Sequence, residues 1–189
     1  MKKLKEKAYP GLSVSKEEWE LFASKFTYKE FPKKSIITKQ GETENYLSFL
    51  VKGAVRSFIK KNEKETTLRF HFSDSFFSAY PSFMMQKPSE FALESLTDCS
   101  CWQISYENLQ KCYNETAGCG HRMGRISAEF LYIKSITREI SMLTESAEER
   151  YITLMEKNPE IIQNIPLKYI ASYLGITPQA LSRIRARIF

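Results

Sequence analysis

An α+β fold is predicted for this chain: antiparallel β structure first, then one long helix, then a small helical unit. Three observations predict it. Between residues 27 and 105 the apolar period is two, in short segments rich in Tyr, Phe, Ile, Thr and Val. From Arg122 to Thr144 apolar residues recur at alternating spacings of three and four. The stretch "PLKYIASYLGITPQALSRIRARIF", residues 166–189, reads as two short helices around a tight turn. A chain of 189 residues holds one ordinary domain and a small one. The expected division is 1–118, 119–145 and 146–189.

"SKEEWELFASKF" opens with Ser15 followed three residues later by Glu18, a capping box, and its Trp19, Phe22 and Phe26 share one helical face. The period then changes to two through "TYKEFPKKSIITKQGE", "NYLSFLVKG", "AVRSFIKKN" and "KETTLRFHFSD". In "KETTLRFHF", Thr66, Leu68, Phe70 and Phe72 alternate with Thr67, Arg69 and His71, so one face is expected inward and the other in water. "FALESLTDCSCWQIS" supplies two more strands, and the regular spacing of the whole predicts an antiparallel sandwich or roll.

Helical period returns at Tyr106. In the long helix, Met123, Ile126, Phe130, Ile133, Thr137, Ile140 and Thr144 form a seven-residue repeat, the seam of a coiled coil and hence a dimer interface. A second apolar line, Leu131, Ile136 and Leu143, is expected to meet the β domain. "ESAEERYITLMEKNPE" repeats the capping box with Ser146 and Glu149, turns Tyr151, Leu154 and Met155 inward, and stops at Pro159.

The final stretch satisfies the packing demands of a helix-turn-helix. Ala171 lets the second helix cross close to the first, and Gly175 takes the left-handed conformation that closes the first. Ile176 plugs the corner, while Ile170, Leu174, Leu181 and Ile184 build the core. Thr177 caps the second helix, and Pro178 fits its first position, where the missing N–H has no partner to lose. Outward then lie Gln179, Ser182, Arg183, Ala186 and Arg187. Glutamine pairs with adenine and arginine with guanine in the major groove, whereas Lys168, Arg185 and Arg187 suit phosphates; Thr177 and Ser182 suit either.

Charge agrees with that reading. The net charge is +6, and residues 166–189 carry Lys168, Arg183, Arg185 and Arg187 with no Asp or Glu, so most of the surplus sits on the segment predicted to meet a polyanion. No apolar run reaches membrane-span length, and "MKKLKEKAYPGL" lacks the apolar stretch of a signal peptide, so a cytoplasmic location without membrane partner is expected. Cys99, Cys101, Cys112 and Cys119 lack zinc-site spacing and are expected reduced and mostly buried; His71 and His121 stand alone. No metal site is expected. No paired carboxylates, nucleophile–base set or phosphate loop is evident, so no catalytic residue and no enzyme activity are expected.

In this order of elements, and most specifically in "TESAEERYITLMEKNPEIIQNIPLKYIASYLGITPQALSRIR", the chain resembles the cyclic AMP receptor protein/fumarate-nitrate regulator (Crp/Fnr) family of bacterial transcription factors. The resemblance implies a β-roll of the cyclic nucleotide-binding type, a dimerisation helix, and a homodimer on a near-palindromic operator in double-stranded DNA, with RNA polymerase as a further partner. It places Gln179, Ser182 and Arg183 at the base-reading positions.

Two departures stand out. Family members that bind cyclic nucleotide use a Gly-Glu pair for the ribose and a later Arg-Ser or Arg-Thr pair for the phosphate. Counted back from "WQIS", these places fall at Ser78-Ala79 and Ser89-Glu90, so cyclic AMP is not expected to bind. The family also continues into a β wing, whereas this sequence stops at Phe189, so a full wing is not expected and its contacts must be absent or come from elsewhere. No cofactor is expected. Phe70, Phe72, Phe76, Phe77, Tyr80 and Phe83 crowd the region of Ser78, Ala79, Ser89 and Glu90 and either fill the roll or line a pocket for an apolar small-molecule effector. The alternative function is a ligand-binding module of the same fold with a vestigial helix-turn-helix.

Overall fold

The computed structural model describes residues 4–6, 14–115, 119–159 and 165–188. Helix α1, Lys16–Ser24, begins with the expected capping box: Glu18 N–H donates to Ser15 Oγ at 3.1 Å, and Ser15 N–H to the Glu18 carboxylate at 3.1 Å. Eight strands follow: β1 Thr27–Phe31, β2 Ile36–Thr38, β3 Tyr46–Lys52, β4 Ala54–Lys61, β5 Lys64–Phe72, β6 Ser75–Phe77, β7 Ala92–Ser95 and β8 Cys99–Ser105. A short helix α2, Tyr80–Met85, lies between β6 and β7. Then come α3 Tyr106–Glu115, α4 Cys119–Thr144, α5 Ala147–Lys157, α6 Leu167–Leu174 and α7 Pro178–Ile188.

The strands form two four-stranded sheets, ordered β1-β8-β3-β6 and β2-β7-β4-β5, with every pairing antiparallel. Sequential strands therefore alternate between sheets except at the β4–β5 hairpin, the arrangement of a jelly-roll. That hairpin turns through Asn62 and Glu63, both at positive φ, which suits the right-handed twist of the strands it joins. Gly53 makes the sharp step from β3 to β4; at φ 102°, a Cβ there would stand 2.6 Å from the Asp98 carbonyl oxygen.

Three cores result. Leu50, Val55, Phe77, Leu93 and Cys101 fill the space between the sheets. Phe22, Phe26, Leu47, Phe49, Phe83, Ile104, Leu109 and Met123 join α1, the roll, α3 and the start of α4. The third joins Tyr151, Leu154, Ile170, Ala171, Leu174, Leu181 and Ile184 of the C-terminal helices to Ala54 and Leu96 of the roll, with Phe70 and Phe72 packed against it. The expectation of a water-facing side on β5 is thereby corrected. Helix α6 covers that strand, and from Thr66 to Phe72 no residue of it is exposed.

Helix α4 starts three residues before the expected Arg122 and ends at Thr144. Cys99, Cys101 and Cys112 are buried, and burial pushes Cys101 up to about 12, which makes it a poor nucleophile. The side chain of Cys119 falls outside the described ones. No group of three or more His, Cys, Asp or Glu among the described residues is placed to hold a metal, and no helix among them is long and apolar enough to cross a membrane.

Candidate nucleic-acid interface

The turn between α6 and α7 is built as its residues dictate. Gly175 sits at φ 76°, and its N–H reaches the Ser172 carbonyl at 3.2 Å while Ile176 N–H reaches Ala171 at 3.0 Å, closing α6. Thr177 Oγ1 accepts from Ala180 N–H at 3.2 Å, and Pro178 is the first residue of α7. Ile170, Ala171, Leu174 and Leu181 are fully buried, with Ile184 nearly so. One face of α7 is thus fixed to the core, which commits the other outward.

That outward face carries Gln179, Ser182, Arg183, Ala186 and Arg187, all exposed, at helical spacings that make one continuous stripe. The stripe holds no carboxylate. Its members differ in how free they are. Ser182 Oγ donates to its own helix at Pro178 O, 3.0 Å away. Arg187 pairs with Glu148 of α5 at 2.6 Å, both partly exposed, so the pair is weak and readily exchanged for a phosphate. Arg185, only partly exposed, turns toward the C-terminal core and Tyr151, with its Nε buried. Lys168 and Thr177 are exposed, with the Lys168 ammonium 4.8 Å from the centre of the Tyr169 ring. Arg185 is therefore the one predicted contact held back from the surface.

A side chain absent from the sequence reading fastens α6 to the roll. Arg56 of β4 is 2% exposed, pairs with Glu94 at 2.5 Å and Glu65 at 2.6 Å, and lies between two rings, 4.0 Å from the centre of Phe58 and 3.8 Å from that of Tyr169. Ser172 accepts from Thr67 N–H of β5 at 2.9 Å, and Tyr173 packs on Phe70 with centroids 5.1 Å apart. From α4, Arg138 stacks 3.8 Å from the Tyr173 ring centre and donates to the Tyr173 carbonyl. The signal was available in part: a Tyr-x-x-x-Tyr pair on a helix whose other face is core needs a second apolar surface.

The residues proposed for an effector converge only in part. Phe70 and Phe72 face the C-terminal helices. Ser89 is buried, with its hydroxyl donating to Phe91 O at 2.7 Å, and Glu90 is exposed. Ala79 is buried, and its N–H is taken by the Glu44 carboxylate at 3.4 Å. Glu44, itself buried, also accepts from Thr38 Oγ1 at 2.6 Å and Tyr46 N–H at 3.0 Å, so an internal anion occupies this corner. Phe76, Phe77, Ser78 and Tyr80 do line a roll cavity of about 230 Å³, which is closed on its far side by Leu131 and Ser135 of α4. Within it, His71 Nε2 lies 2.8 Å from Ser57 Oγ. Burial, with Arg69 and Lys134 nearby, pulls His71 down to about 3, so it is neutral at ordinary pH.

The seam read on α4 also needs correction. Met123 is 1% exposed inside the chain's own core, and Ile126 packs against that core. The Phe130 ring lies 4.5 Å from the Lys134 ammonium. Leu143, expected against the β domain, is the most exposed large apolar residue among those described, at 79%. Phe130, Ile133, Thr137 and Ile140 of the predicted seam are exposed, and Ile136 and Leu143 of the second line extend the free apolar face beside them.

Roll, long helix and helix-turn-helix follow one another in this order. Residues 28–116 match the family described as the cyclic nucleotide-binding domain, and the chain shares the fold of solved structures that include a putative transcriptional regulator of the Crp/Fnr family from Eubacterium rectale, 18% identical. FixK2 of Bradyrhizobium japonicum is 20% identical, with a TM-score of 0.72 over 86% of this chain and 84% of that one. The c-di-GMP responsive global regulator CLP of Xanthomonas campestris is 16% identical, at 0.71 over 92% and 91%. The catabolite activator protein of Thermus thermophilus is 20% identical, at 0.57 over 96% and 85%. No curated protein matches the chain by sequence.

Proposed function

We propose that the protein is a DNA-binding transcription regulator of the Crp/Fnr type that reads a near-palindromic operator as a homodimer in the cytoplasm and catalyses no reaction. The observation that carries this is the exposed, carboxylate-free stripe of Gln179, Ser182, Arg183, Ala186 and Arg187 on a helix whose other side is locked into the core. Gln179 and Arg183 lie one turn apart near the start of α7, where a recognition helix contacts base edges. Lys168 and Arg187 flank them and suit phosphates. The free apolar face of α4 supports pairing with a second copy, because four large aliphatic residues at coiled-coil spacing are otherwise left in water. Cyclic AMP fits poorly, since both charged cassette side chains are missing and Glu44 already occupies the Ala79 N–H.

The test is selection of bound duplexes from a random library, followed by titration at several salt concentrations. A two-fold-related motif and a steep salt dependence are expected. No enrichment, with binding only to small molecules, would favour a ligand-binding module that has lost DNA. For the dimer, Ile140→Asp is expected to shift the sedimentation coefficient from dimer to monomer without loss of helical signal.

A further inference from the structure

A partly closed cavity of about 540 Å³ lies where β5, α4, α5 and α6 meet. Its wall carries Arg69, Lys134, Arg138, Arg150 and Lys157, set against only two carboxylates, Asp74 and Glu145. Among the described residues, none of the five cations forms an ion pair. Their partners are neutral: Arg69 donates to Ser135 Oγ at 2.6 Å, Arg138 to the Tyr173 carbonyl, and Arg150 to the Leu174 carbonyl at 3.0 Å. Arg150 Nε is buried with no acceptor.

Gathering like charges in a partly closed space is unfavourable unless a counter-charge arrives. The strain shows in the groups themselves: burial, with Arg69 beside it, holds the Lys134 ammonium below its ordinary value, and burial together with Arg150 and Arg69 does the same to Arg138. Structural ion-pair networks place carboxylates among their cations. Here the surplus is three positive charges, and the volume lies in the range of small-molecule sites. Phe70, Phe72 and Tyr173 add an aromatic wall on one side of the same space.

We propose that this junction cavity binds a nucleoside polyphosphate, its phosphates neutralised by Lys134, Arg138 and Arg150 and its base laid against Phe72. Two or three phosphate charges match the surplus, and arginine forks suit phosphate oxygens. A planar base accounts for the aromatic wall, which a bare anion leaves unused. The site meets the roll cavity at Arg69 and His71 and lies apart from the outward face of α7. Its occupancy is measured without DNA, so it stands or falls independently of the operator.

The experiment is fluorescence titration of the full-length protein with N-methylanthraniloyl ATP and GTP, competed by unlabelled ATP or GTP, by adenosine and by inorganic tripolyphosphate. Saturable binding is expected, displaced by the unlabelled nucleotide at least tenfold better than by tripolyphosphate and not at all by adenosine. Lys134→Gln, which keeps most of the stem over the Phe130 ring and removes the charge, should weaken binding at least tenfold with the thermal midpoint unchanged. Arg138→Gln should weaken it further, and Arg183→Ala should leave it as it was. Equal displacement by tripolyphosphate overturns the nucleotide assignment. Loss on Arg183→Ala but not on Lys134→Gln places the anion on α7 and overturns the site, as does absence of saturable binding up to millimolar nucleotide.

Discussion

The two helices of the helix-turn-helix are of similar length and share one core, yet they are held in opposite ways. Helix α6 is enclosed on both sides: Ile170, Ala171 and Leu174 face α7 and α5, while Tyr169, Ser172 and Tyr173 press on β4, β5 and α4. Helix α7 is fixed on one side only, and its other side is charged and open. The difference separates two tasks that one motif must perform. Position is set by burial in α6, and under the proposed function recognition is left to polar side chains in α7 that do little for stability. Substitutions against the first helix should therefore cost folding, and those on the second should cost binding alone.

The largest expected effect is on the clamp. Arg56→Ala leaves Glu94 without its cation and removes the plate between Phe58 and Tyr169, which should lower folding free energy by about 3–5 kcal/mol. A fall in the urea midpoint measures it, and a loss below about 1 kcal/mol would show that α6 is positioned by its apolar face alone. Arg183→Ala should do the reverse. Affinity for a selected duplex falls by about 1–3 kcal/mol, while stability changes by less than about 0.5 kcal/mol. A variant that also unfolds would blur the division between the helices.

Gly175 lies between them. Gly175→Ala forces a Cβ into the left-handed region and within 3.3 Å of Met142 Cε, for an expected loss of about 1–2 kcal/mol in thermal unfolding. Gly175→Asn should lose less than the alanine variant. The smallest effect is expected from Arg187→Ala, which breaks only a partly exposed pair with Glu148. It should reduce the slope of log affinity against log salt by about one and leave unfolding unchanged. An unaltered slope would place Arg187 off the phosphates.

The same contrast explains what the sequence made legible. The helix-turn-helix depends on constraints that lie within twenty residues of each other: a small Ala171, a left-handed Gly175, a cap at Thr177 and apolar residues at set intervals. Each has a local physical cause, so each is readable in one dimension. The strands were legible through their period, and both capping boxes through the Ser-x-x-Glu spacing. Arg56 was not, because its meaning lies in Glu65, Glu94 and Tyr169, far away along the chain and brought together only by the crossing of sheet and helix. The seam of α4 was half legible. Periodicity offered two interleaved lines, and only the packing of Met123 into the chain's own core shows which face stays free. The effector residues were placed by counting along a loop, which cannot say that Phe70 and Phe72 leave the roll altogether.

The stacking of Arg56 on Tyr169 has one consequence for anyone who would reuse the C-terminal helices. Cut away at Ser146, the C-terminal piece would keep its internal hydrophobic centre but present two tyrosines and a Ser172 hydroxyl to solvent where a sheet used to be. Grafted onto a foreign receptor, it would need a cationic side chain on a neighbouring strand, framed by two carboxylates, before it would sit at a defined angle. The motif is portable in sequence and not in mechanics: its aim is inherited from the domain it leans on.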